Sequence, residues 1–93
     1  MKIPEEVQVG GFTYRVVFVD FLPNTEIGNC QPAELTIYLA KFYRDTHKPI
    51  PIAVQEQTYL HELVHSIDAI YLQEKLDEDT VDRISQGLYQ ALQ

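Results

Sequence analysis

The segment from about Ala53 to Leu72 constrains this chain most, because its apolar residues recur at helical spacing around one five-residue run, His61-Glu62-Leu63-Val64-His65. At 100° per residue, Leu60, Leu63, Val64, Ile67, Ile70 and Tyr71 fall on one arc, which predicts the core-facing stripe of a long helix. His61, His65 and Asp68 fall together on a different arc, off that stripe. Two histidines four apart on a helix stand one turn above each other, about 5–6 Å apart at Cβ. Both imidazoles then reach one zinc ion at about 2.0–2.1 Å. The intervening Glu62 sits beside such an ion, where a carboxylate takes a proton from water. With three His and eight Glu in 93 residues, a shuffled chain would carry this pattern on the order of one time in a hundred, so zinc hydrolysis leads.

Ninety-three residues are read as a single domain, residues 1–93, large enough for one modest core. No 18-residue apolar stretch is present, so no membrane helix is expected. Met1 to Glu6 carries no apolar leader segment, and the sole cysteine, Cys30, has no disulfide partner in the chain. A cytoplasmic protein is the expectation. The net charge of −7 argues against nonspecific nucleic-acid binding, which needs a basic surface. Oligomeric state is not written in the sequence.

Val7 and Val9, the pair Gly10-Gly11 and the β-rich run Phe12 to Val19 predict a hairpin. Pro23-Asn24 ends the strand, and Gly28 to Pro32 reads as an irregular connection. Leu35 to Leu39 reads as a further strand, with Leu35, Ile37 and Leu39 on one side, while residues 40–51 fit no regular pattern. A second helix is predicted from about Asp77, a suitable N-cap, to Leu92, with Val81, Ile84, Leu88 and Leu92 at helical spacing. The expected fold is therefore α+β: a short antiparallel sheet of about three strands packed on the motif helix and a C-terminal helix.

A catalytic zinc needs a third protein ligand and an open position for water. Asp68 shares the histidine face, as ligand or as a partner that orients a histidine. Glu78, Asp79 and Asp82 open the second helix, where an antiparallel return brings them back towards the first. Asp20 reads as a turn residue and His47 as a loop residue.

The stretch Thr58 to Asp68, followed by Glu78 to Tyr89, resembles the small phage- and mobile-element-associated zincin peptidases related to the ImmA/IrrE-like metallopeptidases. That resemblance implies a minimal zincin-like, gluzincin-type fold and a zinc cofactor. It also implies a third ligand from the glutamate that opens the second helix, ahead of apolar positions that fall here on Val81, Ile84 and Leu88. The ligand set it implies is His61, His65 and Glu78, with Glu62 as general base. Asp68 and Asp82 remain as orienting or alternative ligands. The resemblance further implies a peptide or protein substrate lying along an edge strand, for which residues 35–39 are the candidate. The chain departs from the metzincin pattern, having no third histidine just after His65 and no methionine but Met1. No residue is assignable as an oxyanion stabiliser; Tyr38 and Tyr89 read as packing residues. The competing expectation is a noncatalytic accessory protein of phage or mobile-element origin, zinc-bound or apo, in which a partner docks and any zinc only staples the helices.

Overall fold

The computed structural model describes residues 1–93. Four strands, β1 (Glu6–Val9), β2 (Phe12–Val19), β3 (Gly28–Gln31) and β4 (Thr36–Ala40), precede two helices, α1 (Ile52–Tyr71) and α2 (Glu78–Ala91). The α+β class and both helices match the sequence reading. No helix is long and apolar enough to cross a membrane.

β1 and β2 form the expected hairpin, with Val9 opposite Phe12 and Gly10 at a left-handed φ of 62° in the turn. The sheet itself differs from expectation. It has four strands in the order β1-β2-β4-β3, and it is mixed, because β2 and β4 run parallel while β3 and β4 run antiparallel. The segment read as an irregular connection, Gly28 to Gln31, is the extra strand. Its polar residues form no hydrophobic alternation, and only the ladder to β4 makes it a strand.

β4 is consequently an interior strand, bonded on both sides, so residues 35–39 are not an edge that could take a peptide. Leu35 precedes the strand as a left-handed residue (φ 50°) closing the turn Pro32–Glu34. Ile37 and Leu39 are fully buried with Val9, Tyr14, Tyr59 and Leu60, the core between sheet and α1. A smaller cluster of Leu22, Ala40 and Ile50 closes the end of the sheet from which residues 41–51 lead into α1.

The apolar arc of α1 is only partly inward. Leu60 and Val64 are buried, but Ile67 and Tyr71 are exposed, and Glu62, Ser66 and Asp68 are buried instead. α1 is covered on two sides, by β3 and β4 and by α2, so a single stripe does not describe its burial. α2 is similarly rotated. Val81 and Ser85 are fully buried against α1, whereas Ile84, Leu88 and Leu92 are exposed. The Gln57 amide donates to Ser85 Oγ at 3.2 Å, and the Tyr89 hydroxyl donates to the buried Glu56 at 3.0 Å. These bonds run α2 antiparallel to α1.

Gly28 makes the contact that places the sheet edge on α1. A Cβ there would run into Thr58 Cγ2 and stand 3.0 Å from a Glu62 carboxylate oxygen. Gly28→Ala is therefore expected to cost about 1–3 kcal/mol through overpacking, read as a lower urea midpoint with an unchanged slope. A midpoint equal to wild type would show that β3 is free to move off the helix.

Candidate metal centre

His61 and His65 stand one turn apart on α1, half-buried, with ring centroids 4.9 Å apart. Glu78, at the first position of α2, reaches both. Its Oε1 lies 2.7 Å from His65 Nε2 and its Oε2 lies 3.1 Å from His61 Nε2. These three residues form a group able to hold a metal ion, their ligand atoms all within 4.8 Å of one another. Two imidazoles and a carboxylate suit a borderline ion and leave room for a fourth, non-protein position.

Asp82 lies one turn beyond Glu78, and its Oδ1 is 3.5 Å from His61 Nδ1. With Nε2 turned towards Glu78, Asp82 faces the other ring nitrogen and favours a proton on Nδ1, leaving Nε2 free to ligate. Asp82 thus faces His61 without joining the three-residue group. Asp68 does neither. It is buried, and its carboxylate accepts the backbone N–H groups of Lys75 and Leu76. The remaining candidates lie elsewhere: Asp20 pairs with Lys41, Asp79 with Arg83, and His47 packs on the Phe21 ring.

Glu62 is 8% exposed although it lines the groove beside the histidines. Burial, and then the charges of Glu78 and Glu26, push its pKa up to about 7; the nearby Cys30 backbone N–H opposes the rise. That N–H is available because of register. Ile27 O accepts from Ala40 N, so residues 27, 29 and 31 bond inward to β4, while Gly28 and Cys30 turn their amides to the open edge. The Cys30 thiol is itself pushed up to about 12, by burial first and then by Glu62 and Glu74, which makes it a packing group.

An open groove of about 480 Å³ runs over this site, and a second of about 370 Å³ meets it at Glu26, Gly28, His61 and Glu62. Together they follow the free edge of β3. No Lys or Arg lines either one. Tyr38 and Tyr89 are bonded to Glu34 and Glu56 and line neither groove.

The motif exposed the two histidines and Glu62 directly. It did not expose Gly28 or the Cys30 amide, and the one available signal was a glycine in a segment that could be extended, where glycine marks close backbone approach. No family model matches the chain, and neither the curated proteins nor the solved structures include one similar to it. The class rests on the molecule alone: an α+β protein whose helical hairpin presents a His-His-Glu group able to hold a metal ion.

Proposed function

We propose that this protein is a zinc-dependent peptidase, with His61, His65 and Glu78 holding the ion and Glu62 acting as general base. The observation that carries this reading is the position of Glu62, a nine-tenths buried carboxylate beside a three-ligand group in an open groove. Zinc in such a set acidifies water and polarises a carbonyl. Glu62 would take the proton of the attacking water and deliver it to the leaving amine. The Cys30 N–H lies towards the Glu62 carboxylate, and Asp82 faces the His61 ring.

The edge that suits an extended peptide is β3, in place of residues 35–39. The Gly28 N–H and carbonyl and the Cys30 carbonyl face outward there, as strand addition requires.

One feature favours a second reading. α2 meets α1 through small residues, Val81 and Ser85, so an ion shared by His61, His65 and Glu78 would also staple the hairpin. A noncatalytic, partner-binding protein needs no more than that.

Elemental analysis of protein purified without chelator or histidine tag is expected to give about one zinc per chain, lost or weakened in Glu78→Ala. A mixture of extended peptides, including lysine- and arginine-containing ones suited to a groove without cations, is expected to be cleaved only by the zinc-loaded wild type. Zinc without cleavage favours the staple. No zinc even after reconstitution removes both readings.

A further inference from the structure

We infer that Asp68 sets the metal affinity of this site without touching the metal, by fastening the strap that delivers Glu78; the inference rests on the metal-binding reading above. α1 ends at Tyr71, yet Glu78 must stand beside His61 and His65, so residues 72–77 have to turn back along the helix they leave. The turn is conformationally demanding. Gln73 and Glu74 are consecutive non-glycine residues in the left-handed region, at φ 57° and 59°. Four backbone N–H groups of the strap converge on Asp68 alone. Its carbonyl oxygen accepts from Leu72 at 2.9 Å and Glu74 at 3.1 Å. Its carboxylate accepts from Lys75 at 3.0 Å and from Leu76 at 3.3 Å.

Directly after Leu76, Asp77 accepts from the Thr80 N–H at 2.7 Å and caps α2, and Glu78 follows at once. The Glu78 side chain is 71% exposed, so little packing holds its carboxylate against the two imidazoles. The backbone path places it, and Asp68 secures that path at the buried end. At 3% exposure, Asp68 is too deeply committed to the strap to turn towards the ion. It is a positioning residue that acts through Glu78.

The test is a cycle of zinc dissociation constants for wild type, Asp68→Asn, Glu78→Ala and the double variant. Asparagine keeps the size of Asp68 but offers a donor where Leu76 presents its own N–H. Asp68→Asn is expected to weaken zinc about tenfold, in the range seen when outer partners of ligands are removed. It is expected to add no further loss once Glu78 is gone. Affinity unchanged by Asp68→Asn overturns the inference, and so does an equal loss in the Glu78→Ala background, which would mark general loosening of α1. A wild type that binds no zinc instead defeats the underlying metal reading.

Should Asp68→Asn not fold, hydrogen exchange on the wild type asks the same question, because coupling between strap and ion is reciprocal. Zinc is expected to slow exchange of the Lys75 and Leu76 amides about tenfold, to match the affinity change, and to have no such effect in Glu78→Ala. Exchange indifferent to zinc, or slowed equally in that variant, overturns the inference.

Discussion

Glu62→Gln is expected to lower peptide hydrolysis by about 10²–10⁴-fold, equivalent to about 3–5 kcal/mol in the barrier, while zinc content stays at the wild-type level. The separation follows from geometry. The glutamine side chain would fill the same buried space against Gly28, so β3 and α1 stay in place. The three ligands lie outside the substitution and keep their contacts. Only the capacity to accept and return a proton goes. Parallel assays of cleavage rate and bound zinc decide the matter. A zinc-loaded variant that cleaves at nearly the wild-type rate would sink the role assigned to Glu62.

The second large effect concerns stability of the metal-free protein. A glutamate that titrates at about 7 when folded and near 4.5 when unfolded leaves the native state holding more protons between those values. Stability therefore declines as pH rises through that window. The contribution is fully present below about 4.5 and lost above about 7, a total of about 3 kcal/mol. Glu62→Gln has no such proton to lose, so the metal-free variant is expected to be the more stable above neutral pH and to gain little at about pH 4. The wild-type-minus-variant difference, from urea unfolding at several pH values, isolates this term because the other titrating groups are common to both. A difference that does not change with pH would refute it. Bound zinc, a nearby cation favouring the carboxylate, should shrink the difference.

The helices were legible because their signals are local. Asp77 caps α2 and the motif helix carries its own period, so both boundaries fall within a residue or two of those predicted. β3 was hidden because Gly28, Asn29, Cys30 and Gln31 owe their extended form to a partner strand that sequence does not identify. The interior position of β4 depends on parallel pairing with β2, a contact between distant segments that alternation cannot reveal. The burial of Glu62 and Asp68 ran against the apolar pattern for related reasons. One answers to the β3 backbone and the other to a strap beyond the helix end. The His-Glu-His spacing marked two members of the group able to hold a metal ion. Which acid stands against both histidines, which faces one ring and which binds the strap is decided by how the chain returns after Tyr71.

Every proposed ligand lies between residues 61 and 78, within two helices and one short return. Closing so short a loop costs little chain entropy. The sheet is the slower construction, since pairing β2 with β4 and seating Gly28 on α1 join distant parts of the chain. The proposed ligands thus depend on the local return between the helices, whereas the burial of Glu62 depends on β3 docking from far along the chain. Lesions that spare the fold should therefore fall into two kinds: those in the return between the helices weaken loading, and those where β3 meets Glu62 slow cleavage in a protein that still loads.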